Sequence, residues 1–256
     1  MKLFLNSELT NKAVKAIAEF DLIKAGDRIA VGLSGGKDSN FLLYVLRLLQ
    51  LNFKIDFNLT AIHVEPGFKT TFLNKLSDFC QQLGVDLTVI ETKIAEYINQ
   101  TTDNSPCAKC SYFRKGAIIN HLNQNNFNKV AFGHHLDDVV ETFLLSLFYS
   151  GQLKTLQPNR YLDQNRVSII RPLIYLREEE IKTAVKAKGI EVLASNCPYD
   201  KKTTRANIRN DFAKYFTDQL LFANLISAMR NNHNSELWPE EMDYNLLKTK
   251  MNNYWH

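Results

Sequence analysis

The sequence predicts an α/β fold, a parallel twisted sheet with helices on both faces, plus a small helical C-terminal region. Three observations predict it. Short apolar runs of strand length alternate with amphipathic stretches of helical period, the pattern of a parallel sheet covered on both sides. Two polar, glycine-containing turns, SGGKDS at 34–39 and GHHLDD at 133–138, each follow an apolar run and open a helix. No repeat, Pro/Gly-rich linker or low-complexity tract divides the 256 residues. That length suits one large α/β domain over 25–216, with a leading helical segment at 1–24 and a helical, polar appendage at 217–256.

In chain order, residues 8–24 read as a leading helix beside the sheet. Arg28–Leu33 (RIAVGL) is the first strand and Lys37–Leu51 the helix after it. Leu59–Val64 (LTAIHV) is the second strand, and a helix carrying Cys80 follows. Asp86–Ile90 is the third strand, Phe113–Asn125 a helix, Lys129–Gly133 the fourth strand, and Leu136–Tyr149 a helix. The pattern loosens after Gly151. Glu178–Lys188 is a helix closed by Gly189, and 206–230 reads as one more, with Ile208, Phe212, Tyr215 and Phe216 on one face. The tail carries Trp238 and Trp255 as docking points. In such sheets ligands bind outside the carboxyl ends of the strands, so one site can receive both polar turns.

Composition is that of a globular protein, 45% hydrophobic and 23% charged, with a formal net charge of +4. No apolar run suggests a secretory signal or a membrane span, so the expected location is the cytoplasm. Four cysteines in that compartment argue against a disulfide framework. Cys80 falls at helical spacing with Leu76 and Leu83 and reads as a small core residue.

Ser34-Gly35-Gly36-Lys37-Asp38-Ser39 is built to hold phosphate. Glycines let backbone approach an anion, and the N–H groups at the helix start point at it. The Ser34 and Ser39 hydroxyls add donors. Asp38 repels phosphate directly but suits a Mg²⁺ ion between phosphates. The loop is not a Walker A motif, because Asp38 stands where Ser or Thr is needed after Gly-Lys. In the second turn, paired carboxylates at a helix start serve as caps or as ligands. Cys107-Ala-Lys-Cys110 lies just before a helix. A CxxC pair alone is compatible with half a zinc site, a redox pair or a cluster site.

The segment KAGDRIAVGLSGGKDSNFLLYVLRLL resembles the PP-loop ATP pyrophosphatase superfamily, and within it the tRNA thiolation enzymes, over most of residues 20–216. CAKCSYFRKGAI resembles their CxxC segment, with Arg114 as the basic residue four positions after the second cysteine, and Cys197 in NCPYD resembles their third cysteine. The resemblance implies ATP cleavage between the α and β phosphates to leave an adenylate. It implies a [4Fe–4S] cluster on Cys107, Cys110 and Cys197 that binds hydrosulfide, with a protein persulfide as the chemical alternative. It gives Gly133 and His134 a nucleotide contact and Asp137 metal or catalytic work. Asp138 stays divided between cap and ligand, and His135 between packing and function. Ile62, His63 and Val64 would flank adenine through backbone alone, with the His63 side chain incidental. Arg114 would stabilise the activated oxygen.

Two basic runs flank Cys197: Lys154, Arg160, Arg166, Arg171 and Arg177, then Lys201, Lys202, Arg205, Arg209 and Lys214. Such side chains neutralise RNA phosphates without reading sequence. Arg171-Pro172-Leu173 also matches a family RPL segment and can instead organise the site. The expected partners are tRNA, a sulfur donor (a cysteine desulfurase or hydrosulfide) and, from the resemblance alone, a second copy in a homodimer. The expected reaction is 2-thiocytidine formation, as in the TtcA family. NCPYD is also similar to the 2-thiouridine enzymes of the T-loop (the TtuA family), but four cysteines leave none for the zinc-binding pairs at both ends of those enzymes. KTLQP departs from the usual 2-thiocytidine segment. A lysidine-type ligase and a nucleotide-binding redox or iron sensor are the alternatives.

Overall fold

A computed structural model describes residues 3–68, 72–100, 106–193, 211–230 and 243–246. It contains a six-stranded sheet of order β3-β2-β1-β4-β6-β5. Its strands are β1 (Arg28–Gly32), β2 (Asn58–Glu65), β3 (Asp86–Glu91), β4 (Lys129–Ala131), β5 (Asn159–Leu162) and β6 (Val167–Ile170). All neighbours run parallel except the edge pair β5–β6. The helices are α1 (Ser7–Glu19), α2 (Lys37–Asn52), α3 (Leu73–Leu83), α4 (Ile94–Gln100), α5 (Pro106–Gln124), α6 (Leu136–Ser150), α7 (Glu178–Ala187), α8 (Ala213–Thr217) and α9 (Gln219–Ala228).

Alternation along β1 shows why both sheet faces are dry. Ile29 and Val31 enter the main core, whereas Ala30 enters a second core on the opposite face. Helices α1, α2, α3 and α7 supply the first core, and α4 and α5 supply the second. Helix α2 is buried on almost every side, from Phe41 to Leu49. The leading helix α1 begins at an Asn6 cap, whose side chain accepts the Leu9 N–H at 2.9 Å, and buries Leu9, Ala13, Ala16 and Ile17. The Tyr44 hydroxyl ties the segment before it to α2 by accepting the Phe4 N–H at 3.0 Å and donating to the Phe4 carbonyl at 2.8 Å.

Four differences from the sequence reading matter. Helix α5 starts at Pro106, so the CxxC pair lies within its first turns instead of before it. Those turns (CAKCSYFRK) alternate too little in polarity to signal a helix. Helix α4 and the β5–β6 hairpin had no predicted counterpart, because segments this short show little period. The helix expected over 206–230 is two helices where it is described, broken at Asp218. The Asp218 carboxylate accepts the Leu220 and Leu221 N–H groups at 2.9 and 3.0 Å, so it caps a new helix in place of continuing the old one. Among the described residues no helix is long and apolar enough to cross a membrane.

Cys80 is buried in the main core, and burial pushes its thiol up to about 12. In a variant keeping Cys80 as its single cysteine, a thiol reagent at pH 8 should label the native protein far more slowly than the urea-unfolded chain. The native state keeps this proton to higher pH than the unfolded chain does. The thiol's contribution to stability should therefore fall as pH rises from about 9 towards 12. Urea midpoints of wild type and Cys80→Ala, compared across that range, measure it.

Candidate active site

Between β1 and β4 the strand order reverses direction, the place where open α/β sheets form a crevice. A cavity of about 480 Å³ opens there. The turn after β1 supplies Leu33, Ser34, Asp38 and Ser39 to its wall, and the turn after β4 supplies Gly133, His134 and Asp138. Strand β2 adds Ile62, His63 and Val64, and α5 adds Ser111, Arg114 and Lys115.

The first turn is held by its own serines. The Ser39 hydroxyl accepts the Ser34 N–H at 3.1 Å, donates to the Gly36 carbonyl at 3.0 Å and lies 3.0 Å from the Ser34 hydroxyl. Gly35 has φ +83°, and a Cβ there would meet Leu193 and Phe72 at 3.2 Å. Gly36 has an ordinary φ of −73° and caps α2. The Gly35 carbonyl accepts from Asn40 Nδ2 at 3.1 Å and from the Leu193 N–H at 3.0 Å, which returns the later chain to the loop. Gly35, Gly36 and Lys37 shape this turn without lining the cavity. The Lys37 ammonium pairs with Asp38 at 2.8 Å and Glu178 at 2.9 Å. Burial lowers its pKa, but the hydrogen bonds and charges of Asp38 and Glu178 outweigh burial and leave it raised.

The second turn docks on the first through Gly133. A Cβ on Gly133 would lie 2.7 Å from the Asp38 carbonyl oxygen and 3.0 Å from the Ser39 nitrogen. Backbone meets backbone, and neither side can give.

His135 caps α6 and is buried beside three carboxylates. Its Nε2 lies 3.8 Å from Asp38 and 3.5 Å from Asp138, and its Nδ1 lies 3.7 Å from Asp137. Asp138 accepts the His135 N–H at 3.0 Å and also lines the cavity, so it serves as cap and wall together. Asp137, expected to do metal or catalytic work, is placed otherwise. It is buried off the cavity wall, and both its oxygens are engaged. The Arg177 guanidinium grips it from Nε and Nη2 at 2.9–3.3 Å, and the Glu178 N–H donates to it at 2.7 Å. Arg177 also donates to the Phe216 carbonyl at 2.8 Å and sits 3.5 Å over the Phe222 ring, tying α8 and α9 to this turn. Sequence reasoning placed Arg177 in a basic run and missed this partner, which lies 40 residues away along the chain.

The His63 side chain is not incidental. It is buried on the cavity wall, and its Nδ1 lies 2.8 Å from the Leu33 carbonyl, which makes Nδ1 the donor and leaves Nε2 as an acceptor. Burial outweighs the Leu33 bond and the Glu65 charge and, with the Arg114 charge, holds its pKa below the ordinary value. Cys107, Cys110 and Arg114 recur on α5 at spacings of three and four, which puts them along one face, with Arg114 at the cavity. Four residues separate Cys110 from Arg114, about 6 Å of helix rise.

Three buried polar atoms around the cavity have no hydrogen-bond partner among the described residues: Asp38 Oδ1, His63 Nε2 and Arg114 Nε. Such atoms are costly unless a ligand or solvent completes them. Asp38 Oδ1 suits a cation, and Arg114 Nε suits an oxygen of the substrate. The two thiols of α5 fit a soft, thiophilic centre as two of its ligands. Among the described residues no group of three or more histidine, cysteine or acidic side chains assembles to hold a metal. Cys197, Lys201, Lys202, Arg205 and Arg209 lie outside the described residues.

Residues 5–215 match the family described as PP-loop domain. The chain belongs to this PP-loop family. It is 34% identical over 233 residues to a tRNA-cytidine(32) 2-sulfurtransferase of Pelobacter propionicus, covering 89% of this chain and 87% of that protein. It is 32% identical over 236 residues to a protein of the same name from Escherichia coli, covering 89% and 74%. Among solved structures it is similar to the U34-tRNA thiolase NcsA from Methanococcus maripaludis with its [4Fe-4S] cluster. That match has a TM-score of 0.73 and 23% identity, and covers 87% and 77% of the two chains. This likeness shows the fold, an α/β sheet of mostly parallel strands with helices.

Gly133→Ala should cost about 1–3 kcal/mol in urea unfolding and weaken ATP binding, measured by equilibrium dialysis, because the two turns must separate. Gly36→Ala, at ordinary φ, should stay within about 1 kcal/mol of wild type. Asp137→Asn should cost about 2 kcal/mol, less than a fully buried pair because Arg177 is partly exposed. It should also lower the melting temperature more than Asp138→Asn does.

Proposed function

We propose that this protein is an ATP-dependent, iron–sulfur-dependent tRNA sulfurtransferase, which adenylates the C2 carbonyl of a cytidine and replaces its oxygen with sulfur. One observation carries the reading. A single cavity has the SGGKDS turn on one wall and, on another, the α5 face that bears Arg114 one turn beyond Cys110. The names of the relatives support the cytidine and the tRNA.

ATP would lie with its phosphates against the Ser34–Ser39 turn, where N–H groups and the start of α2 favour negative charge. Adenine would lie against Ile62, Val64 and the Gly133–His134 backbone, with the His63 Nε2 acceptor nearby. Asp38, through its unpartnered Oδ1, would hold a Mg²⁺ that offsets phosphate charge. Lys37 pairs with Asp38 and Glu178, which positions Asp38, and its third N–H would be free to meet a phosphate oxygen.

A carbonyl oxygen is a poor leaving group. Its attack on the α-phosphorus expels pyrophosphate and converts it to an adenylate. The Arg114 Nε–H, buried without a hydrogen-bond partner among the described residues, would stabilise charge on that oxygen. Sulfur then adds at C2, and AMP departs with the former carbonyl oxygen. Cys107, Cys110 and Cys197 would hold a [4Fe–4S] cluster, which would supply an open iron for hydrosulfide, delivered free or released from a cysteine desulfurase persulfide by a thiol reductant. The base must leave its stack to enter, which suits an unpaired loop.

The test is anaerobic reaction of the purified protein with ATP, sulfide and unmodified tRNA, followed by nucleoside mass spectrometry. 2-Thiocytidine with one pyrophosphate per thiolation is expected. 2-Thiouridine, lysidine, or no pyrophosphate release would overturn the reading. Cys107→Ala should abolish thiolation and retain ATP binding. Arg114→Ala should slow turnover at least about 100-fold with the melting temperature unchanged.

A further inference from the structure

Lys115 and Arg171 line one side of the cavity, and the charge of Arg160 acts on both. The antiparallel register sets Arg160 of β5 directly opposite Ile169 of β6, and opposed residues share a sheet face. Ile169 lines the cavity, and so does Arg171, two residues later on the same face. Helix α5 packs there through Ile118 and Leu122, and Lys115 reaches the cavity from it.

These charges are poorly compensated. Arg171 is buried to 7% exposure, and its bonds go to His134 Nδ1 at 3.3 Å and to the Gln157 carbonyl, neither of them an acid. Lys115 and Arg160 have no side-chain hydrogen bond or ion pair among the described residues. Burial, then Arg160 and Arg171, hold the Lys115 ammonium below its ordinary pKa. Burial, then Arg160, push Arg171 down to about 10 against the single opposing pull of Asp138. Cations gathered against their own repulsion gain most from an anion.

The phosphate-binding turn follows β1, and Arg171 follows β6, two strands away in the sheet order. Their backbones are about 10 Å apart, which leaves room for two separate phosphate groups. The position also fits RNA. Arg160 is exposed on the edge hairpin, whereas Arg171 is buried at the cavity. A backbone can therefore stay outside while its base turns in.

We propose that Lys115, Arg160 and Arg171 form a phosphodiester subsite, which grips the RNA backbone beside the nucleotide whose base enters the cavity. The proposal rests on the tRNA reading above and adds to it a second anion site, separate from the nucleotide phosphates. The grip positions the strand and reads no base.

The experiment measures the affinity of an unmodified tRNA transcript for the full-length protein at several salt concentrations. It compares wild type, Arg160→Ala, Lys115→Gln and Lys115→Arg, with ATP affinity measured in parallel for Arg160→Ala. Each neutral variant should bind tRNA about 3–10-fold more weakly, with the slope of log K against log salt shallower by about one. Lys115→Arg should stay near wild type, and Arg160→Ala should keep its ATP affinity. If Lys115→Gln fails to fold, Arg160→Ala at its exposed strand position carries the same test. Unchanged affinity and slope in the neutral variants, with wild type binding tRNA, would remove the subsite and leave the sulfurtransferase reading standing. Weakened ATP binding with intact tRNA binding would also overturn it, assigning these charges to the nucleotide. Failure of wild type to bind tRNA would overturn both.

Discussion

The cavity depends on one close approach, where the backbone of Gly133 rests on the backbone of Asp38 and Ser39. A Cβ at Gly133 would sit 2.7 Å from the Asp38 carbonyl oxygen. Because β1 and β4 are hydrogen-bonded neighbours, their exit turns leave the sheet side by side. The absence of one side chain lets these turns touch and places Ser34, Asp38, Gly133 and Asp138 around a common space. Everything proposed for ATP follows from that contact.

Charge is arranged around this contact in two layers. Lys37 and Arg177 are both engaged with acids at the turns: Lys37 with Asp38 and Glu178, Arg177 with Asp137. They fix geometry. The cations left over, Arg114 and the Lys115–Arg160–Arg171 group, stand on the α5 and β6 side of the cavity. This division puts the available positive charge where a second substrate would enter. In the proposed reading the SGGKDS turn adds backbone N–H groups and hydroxyls.

Arg177 also links this site to α8 and α9. Its guanidinium holds Asp137, the Phe216 carbonyl and the Phe222 ring at once. Phe222 packs in turn with Val140 and Leu144 of α6. The C-terminal helices therefore brace the helix that GHHLDD opens.

The chain itself determined much of this. Strand–helix alternation gave the parallel sheet, and SGGKDS and GHHLDD marked the exits of the two central strands, because apolar period and glycine-rich turns are local properties. Local pattern also found CxxC, and the family resemblance singled out Arg114, although the sequence began α5 seven residues late. It could not show that Asp137 is consumed by Arg177, that the His63 side chain bonds Leu33, or that Gly133 needs its missing Cβ. Those facts join residues 40, 30 and about 95 positions apart. Only the packed sheet decides them, because a side chain's role depends on the partner that folding brings to it.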